Sequence, residues 1–190
     1  LIVRLLVLAL LVAFLVTPES FDFVFAPLTR DGQPAIYVQN SLRNLTISHL
    51  LIVLAATAAA TLVAVSLAVL VTRPAGAEFL PLSRAVANVG QTFPPVAVLA
   101  LAVPVLGFGT APTLVALFLY GLLPIFENAL TGLTTLPPAV VEAARGSGMT
   151  NAQRLVQVEA PLALPVILTG IRLSVVISIA LLVTTGLMIF

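Results

Sequence analysis

Five apolar runs separated by short polar segments dominate the chain. A membrane-spanning helix needs roughly 20 apolar residues to cross about 30 Å of hydrocarbon, and the runs are close to or above that length. The first run is barely long enough, so a cleaved signal peptide is the alternative for it, although Pro18, Glu19 and Ser20 do not form the small-residue cleavage site. The predicted spans are approximately residues 1–17, 46–71, 86–106, 111–130 and 165–190.

Composition supports a membrane protein. The 190 residues are 61% hydrophobic and only 8% charged, with a mean hydropathy of +1.22, so the chain lacks the polar surface of a water-soluble globule. Small residues fill the second span (ATAAATLVAVSLAV, residues 56–69), which allows close helix packing. We therefore predict an all-α, polytopic membrane helix bundle with five visible spans, forming a single transmembrane domain over residues 1–190.

The distribution of arginine predicts the orientation. With a cytoplasmic N-terminus, six arginines lie inside or at the inner edge, against Arg30 and Arg43 outside, as the positive-inside rule favours. Residues 18–45 are then an external loop and residues 131–164 a cytoplasmic one. The six inner residues are Arg4, Arg73, Arg84, Arg145, Arg154 and Arg172.

Several kinds of chemistry are not expected. All eight basic residues are arginine, so the Gly-Lys step of a phosphate-binding P-loop is absent and ATP hydrolysis must belong to another subunit. Without cysteine and with His49 as the single histidine, no thiol nucleophile or Cys/His metal site is expected. The net charge of +1 and the scattered arginines do not indicate nucleic acid as a partner. We expect neither catalytic nor metal-binding residues.

The third predicted span combines polar residues with prolines. Asn88, Gln91 and Thr92 precede Pro94 and Pro95, so the helix must bend or break, and freed backbone groups survive in a membrane only against protein or a water-lined cavity. These five residues are candidates for a transport pathway. The alternative is that proline only kinks a packed helix and the amides bond across the bundle.

Glu127 lies near the inner end of the fourth span. An acidic side chain at membrane depth is a functional candidate, for example a proton carrier. The alternative is a structural role, since Glu127 is close enough to the interface to reach water or an arginine.

The cytoplasmic loop contains two predicted short helices. Pro138 suits the first helical position, and the segment AVVEAAR forms about two turns before Gly146 and Gly148 end them. Thr150 and Gln153 then have the spacing of a capping box, for a second helix that runs until Pro161. On that helix Leu155, Val158 and Leu162 share one side, whereas Arg154 and Gln157 point elsewhere.

The first short helix is expected to expose Val140, Val141 and two alanines, rimmed by Glu142 and Arg145. Such a surface suits a groove in a soluble protein better than a lipid surface. The alternative is that both short helices fold back on the inner ends of the spans.

The loop resembles the EAA loop of ABC-importer permeases. Glu142-Ala143-Ala144, three residues, Gly148, nine residues, Val158, one residue and Ala160-Pro161 follow the pattern EAA, three, G, nine, I, one, L, P, with a departure at Ala160. Residues 85–180 are most similar to permease subunits of osmoprotectant importers. The resemblance implies a coupling helix that fits a cleft in the ATPase subunit. The coupling candidates are Val140, Val141, Glu142, Ala143, Ala144, Arg145, Gly146, Gly148 and Pro161.

The resemblance also implies partners and a substrate class. It implies a permease in the bacterial inner membrane that imports glycine betaine, choline or a similar osmoprotectant by alternating access. Two ATPase subunits bind ATP and Mg²⁺, so this chain holds no cofactor; a second permease copy or a paralogue and an external substrate-binding protein complete the importer. The alternatives are a methionine-type amino-acid importer permease and a proton-coupled transporter that uses Glu127.

Two departures from the family are visible. Pro137 occupies the place where the family often has an aspartate able to cap the coupling helix. After Ala180 the sequence LLVTTGLMIF lacks the expected glycine-rich continuation, so we expect the natural sequence to differ near residue 180, as we expect an N-terminus before Leu1.

Overall fold

The computed structural model describes residues 2–29 and 41–189. Every regular element in these residues is helical, which confirms the all-α fold class. The chain divides into two compact units, Leu1–Leu51 and Ile52–Phe190. The single domain over residues 1–190 stays a prediction.

The first unit begins with helix α1 (Ile2–Val16). Pro18 cannot donate to the carbonyl four residues earlier, and α1 ends just before it. Short helical turns follow at Pro18–Phe21, α2 (Asp22–Phe25) and Ala26–Leu28. The segment Pro18–Phe25 is bent by 114° from α1. Phe14 of α1 packs against Phe21 and Phe25, with ring centroids 5.4 and 5.8 Å apart.

The predicted external loop, residues 18–45, contains helical structure at both ends, and its external location stays a prediction. It starts with the helical turns just described, and α3 (Leu42–Val71) begins four residues before the predicted span. The early start has a local reason, because Ser41 Oγ accepts a hydrogen bond from the Asn44 N–H at 3.2 Å, as side chains at helix N-termini do. The middle of the loop, with Arg30, lies outside the described residues.

The second unit contains the last part of α3 and the remaining helices. The helix at the predicted fourth span continues for four residues beyond residue 130. Two separate helices occupy the predicted third span. The elements are α4 (Leu80–Thr92), α5 (Pro95–Leu106), α6 (Thr110–Thr134), α7 (Pro138–Gly146), α8 (Asn151–Arg154), a π-helix (Leu155–Glu159) and α9 (Ala160–Ile189).

Helix α6 is central in this unit. The small side chains of Ala60, Ala64 and Ala68, one turn apart on α3, are almost completely buried in the core, as the small-residue composition of this span predicted. Gly170 lets α9 approach α6 closely, because an added Cβ would lie 2.7 Å from the Pro124 carbonyl oxygen. The largest buried side chains of α6 are Leu122, Ile125 and Phe126.

Three helices among the described residues are long and apolar enough to cross a membrane: Leu42–Val71, Thr110–Thr134 and Asn151–Leu181. Two bent helix pairs, Ile2–Val16 with Pro18–Phe25 and Ala77–Thr92 with Pro95–Leu106, raise the number to five if each pair is one span. The polytopic helix bundle is thus confirmed, and five spans require that both bent pairs cross the membrane.

Candidate functional site

The loop between α6 and α9 folds as the sequence predicted at its first helix. Pro138 occupies the first turn of α7, and the Pro137 carbonyl accepts the first hydrogen bond, from Val140 N–H at 3.0 Å. Helix α7 ends at Gly146, and Gly148 follows with φ of 78°, a conformation that glycine adopts without steric cost.

Two backbone hydrogen bonds close this turn. The Met149 N–H donates to the Ala144 carbonyl at 3.3 Å, and the Gly148 N–H donates to the Arg145 carbonyl at 2.9 Å. This is the Schellman arrangement, which satisfies the last carbonyls of a helix. The end of α7 is therefore fixed by its own backbone.

The exposed face of α7 differs from the prediction at two positions. Ala144 is only 6% exposed, in the part of the chain where α7 meets α8 and the π-helix, and Val141 is half-buried. The two exposed alanines are Ala139 and Ala143. Glu142 and Arg145 are exposed and Val140 is 39% exposed, so these side chains and the two alanines are available to a partner.

The second short helix starts as predicted but does not end as predicted. Thr150 Oγ1 accepts the Gln153 N–H, and the Gln153 side chain accepts the Thr150 N–H, which confirms the capping box. The helix does not stop at Pro161, however. A π-helix (Leu155–Glu159) precedes this proline, and its wider turn accommodates the missing N–H, so the chain continues directly into α9.

The π-helix also changes the faces predicted for this segment. Arg154 is buried rather than pointing away, whereas Leu162 is 48% exposed. Gln157 is exposed, as predicted, and Leu155 and Val158 are half-buried. The prediction was wrong for Arg154 and Leu162 because it assumed a regular α-helical repeat across the insertion. Pro161 itself is exposed at the start of α9.

A buried group of charges, which we call the Arg–Glu–Arg cluster, joins this loop to the end of α3. Glu159 is 5% exposed and accepts from Arg73 Nη2 at 2.5 Å and from Arg154 Nε at 2.6 Å. Two guanidinium groups thus compensate one buried carboxylate. Sequence reasoning missed this cluster. A five-residue spacing between Arg154 and Glu159 was the available signal, because a π-turn places residues five apart on the same side.

The third predicted span breaks at Phe93 and Pro94, with α4 and α5 meeting at 94°. Two hydrogen bonds join the α4 side of the break to α6: the Tyr120 hydroxyl donates to the Phe93 carbonyl, and Gln91 Nε2 donates to the Tyr120 carbonyl at 3.0 Å. The predicted break is confirmed. Pro95 begins α5, and the amide of Gln91 bonds across the bundle as the alternative interpretation required.

The other pathway candidates lie on the exposed side of α4. Asn88, Gln91 and Thr92 are exposed in this chain, whereas Ser83 and Ala87 are buried on the opposite side. The Thr92 hydroxyl donates to Val89 of its own helix at 2.6 Å. The exposed surface of α4 is thus mixed, because Leu82, Val86 and Val89 are exposed beside these polar residues, and its pathway role stays a prediction.

Glu127 has an arginine partner. Arg84 Nε and Nη2 donate to its two carboxylate oxygens at 2.9 and 3.3 Å, and the Glu127 side chain is 37% exposed. This ion pair fits the structural role of Glu127 that the sequence offered as the alternative to a proton carrier. In the part of the chain that the structure describes, no three His, Asp or Glu side chains lie together as metal ligands would.

These observations define a polytopic α-helical membrane protein with a folded helical loop between two of its membrane-length helices. The chain belongs to the family of binding-protein-dependent transport system inner membrane components, whose sequence model matches residues 64–190. The match covers the EAA-type loop and confirms the family that this loop indicated. It also confirms the predicted location in the inner membrane.

Curated relatives share the same region. The osmoprotectant import permease protein OsmY of Salmonella typhimurium is 47% identical over 69% of this chain and 56% of its own length. The carnitine transport permease protein OpuCB of Listeria monocytogenes is 45% identical over 71% of this chain and 61% of its own length. The choline transport system permease protein OpuBB of Bacillus subtilis is 42% identical over 69% and 59%, respectively. The chain thus spans about three fifths of the length of these relatives.

Proposed function

We propose that this chain is the permease subunit of an ATP-driven importer for an osmoprotectant such as glycine betaine or choline. The support is the family and the names of the relatives, which include osmoprotectant, carnitine and choline permeases. The chain lacks lysine and with it the P-loop, so its role is to move solute while a partner hydrolyses ATP. It is not itself an enzyme in this proposal.

The observation that carries the proposal is the construction of α7. It is a separate helix of nine residues that presents Val140, Ala143, Glu142 and Arg145 outward, with prolines at one end and a closed turn at the other. An apolar patch with a charged rim is the surface that a groove in a soluble protein binds. We infer that α7 is the coupling helix that docks on the ATPase.

The Arg–Glu–Arg cluster would transmit a movement of the docked α7 to the membrane-length helices. Arg154 and Glu159 belong to the segment that follows α7, and Arg73 follows α3, so the loop is tied to two membrane-length helices. A displacement of α7 by the ATPase would therefore act on α3 and α9 together. Rigid-body movement of packed helices of this kind is one basis of alternating access.

The proposed assembly has four further components. Two ATPase subunits bind ATP and Mg²⁺ on the cytoplasmic side, and a second copy of this chain or a paralogue completes the pathway. A substrate-binding protein delivers the solute from outside. The support for this composition is the family description, which names binding-protein-dependent transport. The lipid bilayer is the remaining partner, and no nucleic acid is expected.

Selection of the solute is assigned to the binding protein. Quaternary ammonium groups are usually held by aromatic side chains, and the chain has no tryptophan and two tyrosines. Tyr120 is buried, with its hydroxyl on the Phe93 carbonyl; Tyr37 lies outside the described residues. A methionine-type importer is the alternative within the class. A proton-coupled mechanism through Glu127 is disfavoured, because Arg84 pairs with that carboxylate.

The test enlarges the exposed face of α7. Ala143→Trp should prevent co-purification of the ATPase and abolish uptake of glycine betaine and choline, because the side chain would clash with the groove while the fold of the chain is unaffected. Gln157→Trp, at an exposed position of the π-helix, is the matched control and should leave both unchanged. If Ala143→Trp keeps wild-type ATPase binding and wild-type uptake, α7 is not the coupling helix.

A further inference from the structure

A basic cavity lies beside the Arg–Glu–Arg cluster. Its volume is about 560 Å³, within the range of pockets that hold whole small-molecule ligands. Three segments contribute to it: the turn after α3, the end of α7 and the start of α8. The basic cavity is lined by Thr72, Arg73, Pro74, Ala77, Arg145, Met149, Asn151 and Arg154.

Arg154 is the most deeply placed cation of this cavity. The residue is only 8% exposed, and its Nε donates to Glu159. Among the described residues its two terminal nitrogens have no hydrogen-bond partner, although the residue lines the cavity. These two nitrogens are not among the buried polar atoms of the described residues that lack a partner, so they are accessible from the cavity. The cavity therefore offers unused N–H groups to an anionic ligand.

The other two arginines that line the cavity also have N–H groups or charge without a partner. Arg73 Nη2 donates to Glu159 and to Thr72 Oγ1, whereas its Nη1 has no partner in the described part of the chain. Arg145 is exposed and forms no ion pair with any described residue. Three guanidinium groups surround the cavity against the single carboxylate of Glu159, so about two positive charges are left without compensation.

Planar guanidinium forks match the oxygens of phosphate groups, and several arginines together bind phosphate more strongly than one. The position favours a lipid as the source of the phosphate. Arg73 comes two residues after the last residue of the 30-residue apolar helix α3, at the level where lipid headgroups meet a membrane protein. Leu70 and Phe79, on either side of the turn, are 47% and 51% exposed and could contact an acyl chain.

We propose that the basic cavity binds a phosphate-bearing anion, with an anionic phospholipid headgroup as its source. Bound there, the phosphate would connect Arg73, after α3, with Arg145 of α7 and Arg154 of α8. The ligand would hold α7 against the end of a membrane-length helix. Arg145 also belongs to the outward face of α7 that we propose for ATPase docking, so the lipid site is tested on the chain without its ATPase.

The test measures unfolding of the full chain in nanodiscs, in the absence of ATP. Discs of phosphatidylcholine alone are compared with discs that contain increasing phosphatidylglycerol, and with phosphatidylcholine discs in buffer with inorganic phosphate. Phosphatidylglycerol should raise the Tm of the wild-type chain. Arg145→Gln should need about tenfold more of it for half of the effect, the loss expected for one charge-assisted contact. Arg145 is the residue of choice because its removal leaves the Arg–Glu–Arg cluster intact.

Arg172→Gln is the matched control, since Arg172 is exposed on α9 and does not line the cavity; its response should be that of the wild type. Stabilisation by inorganic phosphate in phosphatidylcholine discs would support a phosphate site with a soluble source. Stabilisation by phosphatidylglycerol but not by inorganic phosphate would support the lipid. The proposal is wrong if neither anion changes the wild-type Tm, or if Arg145→Gln responds like Arg172→Gln. Loss of ATPase binding by Arg145→Gln with an unchanged lipid response would also overturn it, because the cavity would then receive a protein side chain.

Discussion

Glu159 makes contacts that its position in the sequence does not suggest. Its carboxylate accepts hydrogen bonds from Arg73, 86 residues away, and from Arg154, five residues away. Glu159 is 5% exposed and Arg154 is 8% exposed, and at such buried positions unlike charges attract strongly and an unpaired charge is costly. The Glu159 carboxylate is therefore the counter-charge of both arginines.

We predict that Glu159→Gln destabilises the chain by roughly 3–5 kcal/mol, because the buried guanidinium group of Arg154 and the half-buried one of Arg73 lose their counter-charge. The free energy of unfolding in detergent micelles measures the effect. Glu127→Gln is the matched control, since it makes the same chemical change in the half-exposed pair with Arg84, and it should cost no more than about 1 kcal/mol. Equal losses for the two variants would contradict the central role of Glu159.

At the scale of elements, the break between α4 and α5 depends on α6. Pro94 and Pro95 cannot donate to the carbonyls of the residues four positions earlier, so the α-helical pattern stops here. The Phe93 carbonyl also lacks a helical donor, because the Ala97 N–H bonds to the Pro94 carbonyl instead. The Tyr120 hydroxyl supplies the Phe93 carbonyl with a donor, and Gln91 returns a bond to the Tyr120 carbonyl. The two bonds hold the bent pair against the central helix.

Tyr120→Phe should therefore cost about 1 kcal/mol of unfolding free energy, the typical net contribution of one hydrogen bond. It should also lower solute uptake, since the angle between α4 and α5 would no longer be fixed. Thr134→Val is the comparison, because the Thr134 hydroxyl bonds only to carbonyls of its own helix. Wild-type stability and uptake in Tyr120→Phe would show that the prolines alone set the bend.

Elements with a strong local signal were predictable from the sequence. The long apolar runs, Pro138 at the start of α7, Gly148 after it and the Thr150–Gln153 capping box each depend on neighbouring residues alone. The continuation of the helix past Pro161 was not predictable in this way, because the π-turn is stabilised by a contact between Glu159 and Arg73 that is distant in sequence. The burial of Ala144 was missed for the same reason: it depends on how α7 packs against the next segment.

At the scale of the whole molecule, three of the arginines assigned to the inner side meet at the basic cavity: Arg73, Arg145 and Arg154. The positive-inside rule placed these three arginines on the inner side of the membrane. Their convergence shows that all three lie on the same side of the bilayer, because residues that line one cavity cannot be on opposite sides of it. That this side is the cytoplasmic one still rests on the positive-inside rule.

The predicted orientation can be tested with one residue in each of the two loops that it places on opposite sides of the membrane. The chain contains no cysteine, so a single introduced cysteine can be followed without a background signal. Ser147→Cys, in the exposed turn after α7, should react with a membrane-impermeant maleimide only when the inner side is opened, because thiolate chemistry requires access from water. Asp31→Cys, in the predicted external loop and outside the described residues, should react in intact cells. The reverse pattern would invert the protein and place α7 away from the cytoplasm. Since ATP-hydrolysing subunits act there, α7 could then not be the coupling helix.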